Sequence, residues 1–272
     1  MSGTRKTVGL ALGGGAMRGL AHVGVIKALL KHGIPIDYLS GTSIGAWVAT
    51  CFARHQDINE LEQKTIGYKK AKLNALFDIT LRGGFIRGNK LDKLLKQWFD
   101  NVKFEQLQIP TAVVATDLIS GQEVQFSSGL VVPAVRASMA IPLVFQPVRY
   151  NKQLLVDGGL TNPVPDDVVR AMGADVVIAV NLNSHLKRSN GAVDTVNLKS
   201  VAMRSFDIAY HYLTKNTTQH ADMVLEPDID LYWFAGWKRY FTEKNIADLV
   251  KTGEVVVDEN IAAIKKLTFI SQ

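Results

Sequence analysis

The sequence has a single cysteine, Cys51, in 272 residues. A lone cysteine cannot form an internal disulfide, so a disulfide-stabilised secreted scaffold is excluded and a reducing cytosol is indicated. The sequence also lacks an uninterrupted apolar run of membrane-spanning length, because glycines together with Arg18, His22 and Lys27 interrupt the apolar stretch 8–30. We therefore expect a cytoplasmic protein without a signal peptide or a membrane-spanning helix.

Linkers and internal repeats are missing as well. No Pro-, Gly- or Ser-rich segment divides the chain, which predicts a single domain over 1–272. The net charge of +6 is unevenly placed, since 54–103 contains eleven Lys and Arg residues but six Asp and Glu residues. We interpret the polar, mostly helical region of about 54–104 either as a cap or lid over a site or as a solvated helical face. No nucleic-acid-binding motif accompanies the positive charge, so no nucleic-acid partner is expected.

Short apolar runs alternate with segments of helical periodicity along the chain. The continuous apolar runs at 8–12 and 176–180 are typical of strands that a parallel sheet buries on both faces. Further strands are predicted at 36–39, 111–116, 124–126 and 154–156, helices at 18–32, 43–52, 165–172, 201–213 and 247–267, and a polar loop at 183–197. This order predicts an α/β fold, a three-layer sandwich with a mainly parallel central sheet covered by helices on both sides.

A candidate nucleophile lies where the second predicted strand meets a helix. The segment 41–45 reads Gly-Thr-Ser-Ile-Gly and matches the G-x-S-x-G pattern in the strand–turn–helix context that the pattern requires. The sharp turn exposes the hydroxyl of Ser43 at a helix N-terminus, where the helix dipole favours developing negative charge. A serine at this position could equally be a simple N-cap, so the pentapeptide by itself leaves both interpretations open.

A glycine-rich loop precedes the first predicted helix. The loop at 13–19 reads Gly-Gly-Gly-Ala-Met-Arg-Gly, and glycines let backbone amides approach an anion closely. In acyl transfer that anion is the tetrahedral intermediate, so the loop would be an oxyanion hole. The alternative is a nucleotide-phosphate loop. A Walker loop is excluded because no Gly-Lys-Ser/Thr ending follows, and the third-glycine position of a dinucleotide fingerprint is Arg18.

A candidate base follows a later strand. Asp157 precedes Gly158 and Gly159 at the end of the predicted strand 154–156, and the two glycines would let the carboxylate approach another backbone closely. Asp157 could accept a proton from Ser43 directly. It could also be a turn aspartate that caps its own loop.

Together and in this order, the three motifs resemble the patatin-like phospholipase family. The resemblance extends from about Val8 to about Val180 and includes Leu-Ala-His-Val-Gly at 20–24, Ala-Thr-Asp at 115–117 and Ala-Ser-Met-Ala-Ile-Pro at 137–142. It is nearest the bacterial single-domain branch, which is similar to the catalytic domain of neuropathy target esterase.

The resemblance implies an esterase that cleaves acyl esters of phospholipids and related lipids through a Ser–Asp dyad, as a phospholipase A or a lysophospholipase. Ser43 would be the nucleophile and Asp157 the base, and neither a metal nor another cofactor would take part. The family pattern assigns the oxyanion hole to Gly13, Gly14, Gly15 and Ala16 with support from Arg18, and it assigns substrate binding to Ser138 and Pro142. The dyad requires Asp157 to be partly buried and within hydrogen-bond reach of Ser43, because a fully solvated carboxylate is a poor base toward a hydroxyl.

Other interpretations remain open at this point. A Ser-His-Asp hydrolase could use His185, His211 or His220, which follow Ser43 and Asp157 in the order of an α/β-hydrolase. His22 is more typical of a packed or capping residue. A lipid-binding regulator without catalysis could use the same pocket, and an acyltransferase could use the same nucleophile.

The segment 232–241 places aromatic residues beside Lys238 and Arg239, a combination that suits either a bilayer interface or a helix packed on the core. We expect a lipid or acyl-ester substrate and allow for peripheral contact with an anionic membrane. The sequence indicates neither the oligomeric state, nor the head group, nor the acyl chain length.

Overall fold

The computed structural model describes residues 5–65, 88–184, 198–229 and 243–268. Its strands are β1 (Val8–Leu12), β2 (Tyr38–Thr42), β3 (Thr111–Asp117), β4 (Glu123–Phe126), β5 (Val148–Tyr150), β6 (Gln153–Asp157), β7 (Val176–Val180) and β8 (Met223–Leu225). Its α-helices are α1 (Leu20–Lys31), α2 (Ile44–His55), α3 (Ile58–Thr65), α4 (Asn89–Phe99), α5 (Val131–Ser138), α6 (Asp166–Ala171), α7 (Leu198–Asn216) and α8 (Glu243–Thr268).

The described strands form one sheet in the order β5-β6-β3-β2-β1-β7-β8, and β4 pairs with β3 outside this path. The pairs from β3 through β2, β1 and β7 to β8 are parallel, whereas β4, β5 and β6 pair antiparallel to their neighbours. The predicted mixed α/β fold with a mainly parallel central sheet is confirmed. The carboxyl ends of β1, β2 and β7 consequently meet at one edge of the sheet, which is where sites gather in such folds.

Strand β1 lies in the middle of the parallel part, and all five of its residues are buried. Its alternate side chains enter different apolar clusters. Leu10 and Leu12 pack with α1, α2 and α8 in the larger cluster, whereas Ala11 packs with Val169 of α6 in a smaller one. Because successive side chains of a strand point to opposite faces, helices cover both faces of the sheet.

The C-terminal helix α8 packs closely along α1. A Cβ atom added to Gly24 of α1 would lie 1.9 Å from the carbonyl oxygen of Val250, and one added to Gly253 of α8 would lie 1.9 Å from that of Ala21. The two backbones therefore touch at a pair of glycines, each of which makes room for a turn of the partner helix. The sequence predicts both helices but not this contact, because nothing local identifies the partner of an apolar stripe.

Two boundaries differ from the predicted ones. The second strand is predicted at 36–39 but runs over Tyr38–Thr42, so Gly41 pairs with Leu12 inside the sheet instead of forming a turn. The first predicted helix begins as a 3-10 helix at Ala16–Gly19 and continues as α1. In the polar 54–104 region, α3 and α4 are helical as expected. The interpretation of this region as a cap over the site stays a prediction, because the described residues do not test it. Among the described residues, no helix is both long enough and apolar enough to cross a bilayer.

Candidate active site

Ser43 occupies the sharp turn between β2 and α2. Its backbone dihedrals, φ 56° and ψ −123°, lie in a region that residues with side chains rarely adopt, which is the strained geometry of a nucleophile elbow. The glycines of the motif make this turn possible. A Cβ atom on Gly45 would lie 2.0 Å from the carbonyl oxygen of Leu12, and one on Gly41 would lie 2.5 Å from the amide nitrogen of Ala46. The turn therefore forms only with α2 packed directly against the ends of β1 and β2.

Ser138, the last residue of α5, holds the backbone of this turn through a hydrogen bond. Its hydroxyl accepts the amide of Ser43 at 2.7 Å, and its side chain is fully buried. The sequence predicts that Ser138 and Pro142 bind substrate, whereas the structure shows Ser138 holding the backbone of the elbow. Pro142 is half-buried, and the residue of this segment that lines the pocket is its neighbour Ile141. Ser138 thus makes a positioning contact with the elbow, and its predicted contact with the substrate stays a prediction.

The sheet register brings Asp157 to Ser43. Thr42, the last residue of β2, pairs with Val114 of β3, and Asp157, the last residue of β6, pairs with the next residue, Ala115. Because β4 occupies the other edge of β3 at both positions, β2 and β6 must share one edge. The two strands therefore run toward each other along that edge and end beside one another. Their terminal residues bring the side chain of Ser43 to the carboxyl group of Asp157, where its hydroxyl lowers the pKa of that group as a hydrogen-bond donor would.

Asp157 is almost completely buried, with 3% of its surface exposed. Desolvation raises its pKa from 3.8 to about 7, although hydrogen bonds from Ser43 and from the amide of Gly159, the latter 2.8 Å away, partly oppose the shift. The two glycines after it allow this burial. A Cβ atom on Gly158 would lie 2.3 Å from the carbonyl oxygen of Val114, and one on Gly159 would lie 2.2 Å from the ring of Tyr210. A carboxyl group with a pKa near neutrality is suited to exchange protons at working pH.

The glycine loop after β1 contributes fewer amides than its sequence suggests. The amide of Gly13 donates to the carbonyl of Val180 at 3.1 Å, which continues the ladder between β1 and β7, and that of Gly14 donates to the carbonyl of Pro163 at 2.9 Å. These two predicted oxyanion donors are thus bonded to backbone in this structure. Gly15 lines the pocket and opens the 3-10 helix, whose first amides have no acceptor within the helix. The predicted oxyanion hole accordingly narrows to Gly15 and Ala16.

Arg18 is buried behind this loop, with 8% of its surface exposed. Its Nε donates to the carbonyl of Gly15 at 3.2 Å, and its Nη2 donates to the side-chain oxygen of Asn183. Burial lowers the pKa of Arg18, and the negative charge of Asp207 opposes that shift. Arg18 thus bonds to a carbonyl of the glycine loop, and its supporting role for the oxyanion hole stays a prediction.

The lining of the pocket at Ser43 includes Gly15, Ser43, Ile141, Asp157, Asn183 and Tyr210. Tyr210 of α7 reaches the centre of this site. A Cβ atom on Gly14 would lie 2.1 Å from its phenol oxygen and 3.5 Å from the Cβ of Ser43, so the phenol and the serine share one corner of the pocket. Burial and the charge of Asp157 raise the pKa of Tyr210 well above its ordinary value, which keeps the phenol protonated.

Sequence reasoning missed Asn183 and Tyr210. Asn183 lies in the segment predicted as a polar loop, yet it is buried, with only 5% of its surface exposed. Its position just beyond the end of β7 could have identified it, because the ends of adjacent parallel strands share an edge of the sheet. Tyr210 lies in the middle of a predicted helix, and no local signal indicates which face of that helix covers the site.

The described histidines are engaged elsewhere. His22 is buried and its Nε2 donates to the carbonyl of Gly13 at 2.7 Å, while desolvation lowers its pKa to about 4. His211 donates from Nδ1 to the carbonyl of Asn183 at 2.8 Å, and His220 lies beside Asp166. His185 lies outside the described residues, as does the aromatic segment 232–241. Asp157 lines the pocket together with Ser43, whereas none of the described histidines is part of the pocket lining. Within the described ranges, no three or more His, Cys, Asp or Glu residues are grouped so as to hold a metal ion.

The fold and the site together define the class of α/β proteins that carry a serine at a strand–helix elbow with a glycine-rich loop beside it. The family model described as patatin-like phospholipase matches residues 10–169, which is more than half of the chain. The chain belongs to the patatin-like phospholipase family.

Two curated relatives illustrate the similarity. An uncharacterised NTE family protein of Mycobacterium tuberculosis is 38% identical over 177 residues, which are 65% of this chain and 49% of that protein. Patatin-like phospholipase domain-containing protein 6 of Mus musculus is 33% identical over 187 residues, which are 66% of this chain and 14% of that protein. The chain thus spans about half the length of the first relative and much less of the second.

A solved structure agrees at the level of the fold. VipD from Legionella pneumophila superposes with a TM-score of 0.55 at 14% sequence identity, over 92% of this chain and 67% of that one. At this identity the likeness extends to the arrangement of helices and strands.

Proposed function

We propose that this protein is a serine esterase that hydrolyses acyl esters of lipids, as a phospholipase A or a lysophospholipase, with Ser43 as the nucleophile and Asp157 as the general base. One observation carries the proposal: Ser43 lines the same pocket as a buried carboxyl group, that of Asp157, whose pKa is raised to about 7. Near neutral pH such a group is ionised often enough to accept a proton and protonated often enough to return it.

The first half of the proposed reaction forms an acyl-enzyme. Asp157 accepts the proton of Ser43 as Oγ attacks the ester carbonyl, and the carbonyl oxygen becomes an oxyanion. The amides of Gly15 and Ala16 stabilise that charge, which arises at the N-terminus of a helix. Protonated Asp157 then delivers its proton to the departing alkoxide, so the alcohol part of the lipid leaves and the acyl group remains on Ser43.

The second half repeats these roles with water. Asp157 removes a proton from a water molecule as its oxygen attacks the acyl-enzyme, and the same amides stabilise the second oxyanion. Collapse of the intermediate breaks the bond to Ser43, whose oxygen recovers the proton from Asp157 and releases a carboxylic acid. No histidine is needed, because a single carboxyl group with a near-neutral pKa performs both proton transfers.

The character of the pocket supports a lipid substrate. Ile141, Phe206 and Tyr210 present apolar surface around Ser43. The polar lining includes Ser43 and Asp157, which the proposal makes the nucleophile and the base. The formal charge of +6 is compatible with peripheral contact with an anionic membrane.

The test is labelling by a fluorophosphonate probe together with hydrolysis of p-nitrophenyl esters and lysophospholipids. We expect the wild-type protein to be labelled and active, Ser43→Ala to lose both properties, and Asp157→Asn to lose about a hundredfold or more in kcat. The exposed residues Ser127 and Asp100 offer matched controls, since Ser127→Ala and Asp100→Asn should retain activity.

The result decides between the proposal and its alternatives. A folded wild-type protein that binds acyl ligands but is neither labelled at Ser43 nor active would be a lipid-binding regulator. An active Asp157→Asn variant combined with an inactive variant of His185, His211 or His220 would indicate a Ser-His-Asp triad instead.

A further inference from the structure

The proposed oxyanion hole depends on how the peptide unit between Gly14 and Gly15 is oriented. In a planar trans peptide the carbonyl group and the following amide point in opposite directions. Whatever holds the carbonyl of Gly14 therefore determines where the amide of Gly15 points. The glycines themselves do not fix the orientation of this peptide plane, because a glycine backbone can rotate freely unless other groups hold it.

Asn183 bonds directly to that carbonyl. Its Nδ2 donates to the carbonyl oxygen of Gly14 at 2.7 Å, and both Asn183 and Gly15 line the pocket around Ser43. With the carbonyl turned toward Asn183, the amide of Gly15 is turned away from Asn183. This peptide unit carries a predicted oxyanion donor on one side and bonds to a buried side chain on the other.

Arg18 extends the same support to the next peptide unit. The carbonyl of Gly15 accepts from the amide of Arg18 at 3.1 Å and from its Nε at 3.2 Å, which turns the amide of Ala16 away from Arg18. The guanidinium also donates to the side-chain oxygen of Asn183. Asn183 thus connects the buried cation to the carbonyl of Gly14, and it uses its acceptor toward Arg18 and its donor toward the loop.

Asn183 is itself held from two sides. Its backbone amide donates to the side-chain oxygen of Asn181 at 2.8 Å, and its backbone carbonyl accepts from Nδ1 of His211 at 2.8 Å. Asn181 continues the sheet, because its amide donates to the carbonyl of Leu225 at the end of β8. The side chain that orients the loop is therefore fixed to the sheet on one side and to α7 on the other.

We propose that Asn183 is a positioning residue for catalysis, one that orients the peptide unit between Gly14 and Gly15 so that the Gly15 amide faces the oxyanion. This inference rests on the proposed function. It gives Asn183 a role in the transition state without contact with the substrate, since the oxyanion exists only during the reaction.

The decisive variant is Asn183→Asp, which keeps the shape of the side chain and the acceptor for Arg18 but replaces the donor by an oxygen that repels the carbonyl of Gly14. We expect kcat for a p-nitrophenyl ester to fall about a hundredfold, the usual cost of a lost oxyanion donor, while KM stays within about threefold. Asn260→Asp is the matched control. Asn260 lies on α8 and also donates from Nδ2 to a backbone carbonyl, that of Val256, at 2.8 Å.

A second measurement separates orientation from packing. A trifluoromethyl ketone that forms a tetrahedral adduct with Ser43 should bind Asn183→Asp about a hundredfold more weakly, whereas a non-hydrolysable ether analogue of the substrate should bind it as it binds the wild-type protein. All rates are expressed per active site titrated to completion with the fluorophosphonate, so that unfolded protein does not contribute. Asn183→Ala, which removes both hydrogen bonds of the side chain, should show the same division between kcat and KM.

Three outcomes would overturn the inference. The first is an unchanged kcat per titrated site in Asn183→Asp. The second is a raised KM at constant kcat, which would make Asn183 a substrate contact. The third is equal weakening of the ketone and the ether. A wild-type protein that is inactive and unlabelled at Ser43 would instead refute the proposed function, and that result appears before Asn183 is changed.

Discussion

Replacing Asp157 by Asn should make the protein more stable while abolishing its activity, and the gain in stability should depend on pH. Burial raises the pKa of Asp157 from 3.8 in the unfolded chain to about 7 in the folded protein. Below pH 3.8 the carboxyl group is protonated in both states and contributes nothing to the pH dependence. Between these two pKa values the unfolded chain releases its proton while the folded protein keeps it, so the stability of the wild-type protein falls as pH rises.

The size of the effect follows from the two pKa values. Relative to strongly acidic conditions, the ionisation of Asp157 lowers the free energy of unfolding of the wild-type protein by about 2 kcal/mol at pH 5. At pH 8, above both pKa values, it lowers the free energy of unfolding by about 4 kcal/mol. Asparagine is neutral at every pH and close in shape to the protonated acid, and its oxygen can still accept the amide of Gly159. Asp157→Asn should therefore be more stable than the wild-type protein by about 2 kcal/mol more at pH 8 than at pH 5.

The assay is urea unfolding followed by circular dichroism at pH 5 and pH 8, with wild type, Asp157→Asn and the exposed-site variant Asp100→Asn. The difference between wild type and Asp157→Asn should widen with pH, and Asp100→Asn should not show this widening. In parallel, kcat/KM of the wild-type protein should rise with pH to a plateau, with a midpoint near pH 7, because the ionised form of Asp157 is the base. An equal stability difference at the two pH values would refute the reasoning, since it would mean that Asp157 is not a carboxyl group destabilised by burial.

Three further predictions concern the supports of the site. Ser138→Ala should lower the free energy of unfolding by about 1–3 kcal/mol and also reduce kcat, because the buried amide of Ser43 loses its acceptor; a urea midpoint equal to that of the wild type would contradict this. Gly45→Ala should yield no folded protein by circular dichroism, since its methyl group would lie 2.0 Å from the carbonyl of Leu12, whereas Gly33→Ala, with open space around it at φ 73°, should cost about 1 kcal/mol and remain folded. Tyr210→Ala should enlarge the pocket, so kcat/KM for a p-nitrophenyl ester with an acyl chain of about twelve carbons should rise relative to kcat/KM for one of about four carbons. The control Tyr212→Ala, at an exposed position of the same helix, should leave this ratio of kcat/KM values unchanged.

Local sequence patterns were sufficient for most of the elements and for the two ends of the proposed dyad, but they did not predict β5, β8 or α5. The apolar run that becomes β1 and the periodic apolar positions of α1 predict their own conformations, because burial on both faces or on one stripe requires those residue types. The G-x-S-x-G pattern likewise predicts the elbow at Ser43, since each glycine meets backbone of a neighbouring element. These features depend on residues close together in the chain.

The sequence by itself determined most of the strands and helices, where the elbow lies and that Asp157 was available as a proposed partner for Ser43. Only the tertiary structure decided that the ends of β2 and β6 meet, because the pairing of β2 and β6 along the same edge of β3 depends on strands more than a hundred residues apart in the chain. It also decided that Gly13 and Gly14 direct their amides to other strands and loops, and that Asn183 and Tyr210 enter the site. The physical reason is the same in each case: hydrogen-bond partners and burial are properties of the packed sheet and its helices, and a local pattern specifies a donor or a side chain without specifying what will lie opposite it.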